Sequence, residues 1–149
     1  MCQRDADRSH VKGTFRAFLP SDSHAASVDH EMVKSLMSPP FPFTSSNPIS
    51  NLQGQILFNS WDHMLETGGL VASGASLHTF DGRRIDPSGR NVVWHGVNPW
   101  GDASHYNCED WSSDNPLHVG LASSLEGGLI AKQKKFSCNN KFHVLCIEI

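Results

Sequence analysis

The sequence predicts an α+β domain of short, mostly antiparallel strands with few helices, and three observations carry that expectation. The 149 residues are 38% apolar and only 18% charged, a balance that lets a chain of this size bury one core without a stabilising metal. The apolar runs, such as "QILF", "VVWHG" and "FHVLCIEI", are short and suit strands better than helices. Helix formers are sparse, while Gly, Pro, Ser and Asn recur between the runs and punctuate them as turns. A single domain over residues 1–149 is expected.

The elements follow in chain order. In "GTFRAFL", Phe15, Ala17 and Leu19 alternate with Thr14, Arg16 and Phe18, the period of two that marks a half-buried strand. Residues 20–50 read as a helix and then an extended surface loop. "HEMVKSLM" sets Met32, Val33, Leu36 and Met37 on one helical face, and the prolines of "SPPFPFTSSNP" remove the amide donors that regular structure needs. Beyond it, "QILFNSW" is strand-like, "SLHTFDGRR" turns at Asp81-Gly82, and "NVVWHG" is a further strand. The chain closes on its strongest strand signal, "FHVLCIEI".

Four cysteines, Cys2, Cys108, Cys138 and Cys146, lie with one near each end of the chain. An even set in this arrangement is how a secreted domain fastens its termini. Four cysteines allow three pairings, and composition alone leaves all three open. No stretch is as long as a membrane span, and the opening "MCQRDADRSH" has no apolar signal region. The expectation is therefore a C-terminal piece of a longer secreted precursor with its signal sequence upstream. Neither membrane insertion nor nucleic-acid binding is expected.

Catalytic motifs are incomplete. "HEMVK" opens like a zinc-protease helix, but Lys34 stands where the second histidine would be. "SGASL" and "GLASSLEGG" lack the G-x-S-x-G spacing of a nucleophile elbow. Glu109 and Asp110 are adjacent, so on a strand they would point to opposite faces and could not act as an acid–base pair. The nine histidines are scattered, and isolated histidines are usually packed or surface residues rather than ligands. No enzyme is expected.

The strings "GTFRAFL", "LFNSW", "FDGRR", "VVWHG", "CEDW", "GLASSLEGG" and "SCNNKFHVLCIE", with all four cysteines, resemble in order and spacing the endostatin domain, the C-terminal module of collagen types XV and XVIII. The resemblance implies a compact C-type-lectin-like fold with two nested disulfides, Cys2–Cys146 and Cys108–Cys138. It also implies where this chain departs from the family. Vertebrate members hold zinc with histidines near the start of the released fragment and a carboxylate in an "N-L-x-D" stretch, but here the stretch is "NLQG". Gly54 stands in the carboxylate's place and offers no ligand, so neither a metal nor another cofactor is expected. The proline-flanked amide and acid pair and the "WND" triplet of calcium-dependent lectins are missing too.

Glycosaminoglycan binding in the family depends on clustered arginines. Here two of those positions carry Ser112 and Leu129, and the net charge is -3. What remains is the run Lys132, Lys134 and Lys135 with Lys141 nearby, predicting heparan sulfate binding that is weak, salt-sensitive and stronger at low pH. Trp61, Trp94 and Trp111 are expected as packing anchors. Phe41, Phe43 and Trp100 are expected as exposed partner contacts on loops. The reading is a non-enzymatic extracellular matrix and basement-membrane module of a multiplexin-type collagen. It would bind matrix or cell-surface proteins, be released to signal in cell adhesion and migration, and be monomeric alone although the parent collagen is trimeric. The alternative is a free-standing secreted lectin-like domain that binds a glycan or protein ligand.

Overall fold

A computed structural model describes residues 1–20, 46–87, 90–98, 103–129 and 132–148. The helix expected at 30–37 and most of the loop after it, with Phe41, Phe43 and Trp100, lie outside the described residues. The architecture is α+β, as expected. Strands β4 (Val92–Trp94), β5 (Val119–Ser124), β6 (Gln133–Ser137) and β7 (His143–Val144) form a sheet in the order β6-β5-β4-β7. β1 (Phe15–Ala17) pairs with β8 (Cys146–Glu148), and β2 (Ile49–Ser50) with β3 (Ile56–Phe58). All pairings are antiparallel except β4 with β7. No helix among the described residues is long and apolar enough to cross a membrane.

Successive strand residues point to opposite faces, so β4 serves two cores at once. Val93 joins Phe18, Phe58, Trp61 and Met64 in one cluster. Trp94, next along, joins Cys108, Ala122 and Cys138 in another, with Phe142 at 4.8 Å between ring centroids. A third cluster forms around α1 (Cys2–Arg8), whose buried Cys2 and Ala6 sit one helical turn apart and pack with Phe15. Gln3 ties this helix to the start of β1, its side chain accepting from Phe15 N–H at 2.8 Å and donating to the Gly13 carbonyl at 3.2 Å. Helix α2 (Trp61–Glu66) starts where the Ser60 side chain accepts from His63 N–H at 3.0 Å, an ordinary N-cap.

Both disulfides implied by the resemblance are present, Cys2–Cys146 and Cys108–Cys138, each with Cα atoms 5.6 Å apart. The second lies inside the loop closed by the first, so the pair is nested. Two strand expectations need correction. In "GTFRAFL" the buried residues are Phe15 and Phe18, while Ala17 is exposed and Leu19 half-buried. The strand is only three residues long, and Phe18 N–H donates to the Leu145 carbonyl at 2.8 Å in register with the β1–β8 pairing. The burial differs because the two sides of the segment meet different cores, Phe15 that of α1 and Phe18 that of Trp61. "FHVLCIEI" is likewise not one strand. It breaks at Leu145, with β7 joining the four-stranded sheet and β8 pairing with β1, because its two halves cover different cores.

Candidate functional site

The predicted lysine run maps onto β6 and the residue before it; among the described residues β6 is an edge strand paired with β5. Lys134 lies opposite Ala122 and Lys135 opposite Leu121, and both are exposed. As neighbours on a strand they face opposite sides, so the structure divides a run that is continuous in sequence. On one side Lys135 sets its Nζ 3.7 Å from the centroid of the Tyr106 ring, a cation–π contact worth about 0.5–1 kcal/mol at an exposed site. Lys132 precedes the strand and lays its stem across Gly127, where an added Cβ would come within 2.5 Å of Lys132 Cδ. Lys141 is exposed on the segment after Cys138. Among the described residues none of these four lysines forms an ion pair, whereas Arg4 and Arg8 both pair with Asp5 within α1. Unpaired lysines also keep a sheet edge from recruiting further strands.

The two positions expected to have lost an arginine serve other ends. Leu129 is buried at 4% exposure in the core beside Leu125. Ser112 is exposed and donates its hydroxyl to the Glu109 carbonyl.

The described histidines do not converge. Among the described residues no group of three or more His, Cys, Asp or Glu side chains could hold a metal ion. His118 pairs with Ser113, His143 with Asn91 and His78 with the Ser76 carbonyl. The "NLQG" stretch is a turn: Asn51 Oδ1 accepts from the amides of Gln53 and Gln55 at 3.0 and 2.9 Å. Gly54 within it is exposed and has φ of +78°. A zinc site built on this stretch does not fit the residues present. His95 is buried at 1% exposure, accepts from Val97 N–H at Nδ1 (3.1 Å) and donates from Nε2 to Ser123 Oγ (2.9 Å). Burial lowers its pKa from 6.5 to about 4, so it adds no charge to any surface in mild acid.

Of the tryptophans, Trp61 and Trp94 are buried, and Trp111 is half-buried with its indole N–H donating to the Pro20 carbonyl at 2.8 Å. Glu109 and Asp110 are not on a strand. They lie in α3 (Cys108–Trp111), a helical turn of left-handed residues, and both are exposed. Sequence reading missed the Tyr106–Lys135 pair because no local signal joins residues from two separate segments. It missed α1 although the spacing of Cys2 and Ala6 is helical.

The model of the family described as "Collagenase NC10 and Endostatin" matches residues 1–149. The chain is 34% identical over 157 residues to the human collagen alpha-1(XVIII) chain, an alignment covering 99% of this chain and 8% of that one.

Proposed function

The chain belongs to the endostatin family, and from that premise we propose that it is a non-enzymatic module closing a multiplexin-type collagen, with a weak sulfated-glycan surface on β6. Its place is the extracellular matrix, in keeping with two disulfides of the kind that persist in oxidising surroundings. Matrix or cell-surface proteins are its further partners, and release by proteolysis would let it act on cell adhesion and migration. The isolated module is a monomer, and trimerisation belongs to collagen segments. It works without a metal or other cofactor, consistent with a glycine at position 54.

The glycan reading rests on one observation. Lys132, Lys134 and Lys135 are exposed, with no acidic partner among the described residues, and a glycan laid along the edge of β6 would meet lysines from both of its sides. Ammonium groups offer sulfate point charges rather than the bidentate fork of arginine, so binding is modest and strongly weakened by salt. Retention on a heparin column is expected to be slight at about pH 7.4 and greater at about pH 5.5, since histidine protonation adds positive charge there. Replacing the three lysines together with alanine should remove most retention at the higher pH and leave the melting temperature nearly unchanged. If the triple variant elutes with the parent, β6 is only a solvated edge. The partner surface would then be sought first around Phe41, Phe43 and Trp100.

A further inference from the structure

Four consecutive non-glycine residues, Cys108, Glu109, Asp110 and Trp111, have φ of 53°, 56°, 53° and 61°. Trp111 N–H donates to the Asn107 carbonyl at 2.7 Å and Ser112 N–H to the Cys108 carbonyl at 3.2 Å, which closes a left-handed helical turn. L-residues normally enter this region singly, because Cβ crowds the next carbonyl, and each does so against a roughly 5- to 30-fold bias in equilibrium. Such conformations persist only where the surroundings over-determine them.

The surroundings here can be named. The Asn107 side chain accepts from Asp110 N–H at 3.1 Å. The Trp111 ring lies against Gly96, where an added Cβ would stand 2.4 Å from Cζ2, and edge-on to Trp94 with centroids 5.9 Å apart. Its indole N–H holds the Pro20 carbonyl. One restraint is covalent: Cys108, the first residue of the turn, is bonded to Cys138 at the end of β6. Cys2 and Cys146, by contrast, sit in a right-handed helix and an ordinary strand and carry no such load.

We propose that Cys108–Cys138 is a redox-labile bond, opened by a dithiol reductant, and that its opening lets the 108–111 turn unwind and releases Trp111 from Pro20. A thiolate of the reductant attacks one of the two sulfurs and expels the other as a thiolate, giving a mixed disulfide. The reductant's second thiol displaces the bound cysteine and leaves as the reductant's own disulfide. Two electrons and two protons pass to the protein, which ends with two thiols. Both sulfurs belong to buried residues, but Cys138 opens a turn whose next residues, Asn139 and Asn140, are exposed. Local opening of that turn gives the attacking thiolate its path.

The full chain is equilibrated with stepped ratios of reduced to oxidised dithiothreitol, alkylated and peptide-mapped, while tryptophan fluorescence is followed. Cys108–Cys138 should reduce at a ratio at least about tenfold lower than Cys2–Cys146, and the fluorescence should change with the first bond only. The double variant Glu109→Gly/Asp110→Gly relieves the Cβ crowding and should move the Cys108–Cys138 midpoint about tenfold or more towards the disulfide. Glu109→Ala/Asp110→Ala, which removes the same carboxylates but keeps Cβ, should not move it in that direction. Reduction of both bonds together in the parent overturns the proposal, and so does a folded glycine variant that titrates with the parent. The parent titration decides selectivity by itself if that variant does not fold.

Discussion

Lowering the pH tests the buried His95–Ser123 pair directly. The imidazole is 1% exposed, and its Nδ1 already accepts from Val97 N–H, so the ring stays neutral with its proton on Nε2. Desolvation is the main cause of its low pKa. The unfolded chain takes up the proton with the ordinary value of 6.5, the folded chain only near about 4. The unfolded state therefore binds more protons between these values, and stability falls as the pH drops through that window. The slope reaches about 1.4 kcal/mol per pH unit, so roughly 3 kcal/mol is lost across the window. The comparison is with His95→Gln, which cannot charge. At pH 7 that variant should be about 1–2 kcal/mol less stable, because one amide cannot replace both ring hydrogen bonds. Urea unfolding with the disulfides intact, at steps from about pH 7 to 4.5, should show the difference shifting by about 2–3 kcal/mol, so that the gap vanishes or reverses. Carboxylates titrate in both proteins and cancel in the difference. A gap that stays constant over the range would show that burial does not hold His95 neutral, as would a His95 ring resonance that titrates near its ordinary value.

Gly96 has φ of +62° and Trp111 Cζ2 stands 2.4 Å from where its Cβ would be, so Gly96→Ala should cost about 2–4 kcal/mol in thermal unfolding and alter the near-ultraviolet dichroism of tryptophan. A loss below about 1 kcal/mol would mean that Trp111 is not seated there. Removing the outer bridge by Cys2→Ser with Cys146→Ser frees the closure across a separation of 144 residues and should cost about 2–5 kcal/mol by denaturant midpoint; an unchanged midpoint counts against the terminal clamp. Elemental analysis after extensive dialysis should find no stoichiometric zinc, since Gly54 offers no ligand. One zinc held per chain would require the scattered histidines to converge after all.

The features legible in the chain before folding are those encoded over a few neighbouring residues. "QILF" and "VVWHG" contain β3 and β4 because β-branched and aromatic side chains suit a half-buried pleat. Asp81-Gly82 turns because glycine accepts its φ of +85°, and Thr79 and Arg83 close the hairpin with an amide-to-carbonyl bond of 2.9 Å. The cysteine set and the ordered strings were enough for the family, and through it for both disulfides. Tertiary structure alone decided everything that depends on segments distant in the chain. Phe18 is buried and Ala17 exposed because the two sides of the β1 segment meet different cores, Phe15 the one around α1 and Phe18 the one around Trp61. Lys134 and Lys135 are neighbours in sequence but not on the surface, since the strand turns them to opposite sides and only one finds Tyr106. The left-handed turn in "CEDW" contradicts local preference, and nothing within those four residues favours it. It exists because a disulfide to Cys138, the bare backbone of Gly96 and the carbonyl of Pro20 together outweigh the crowding of four Cβ atoms, and those contacts come into being only when the chain has folded.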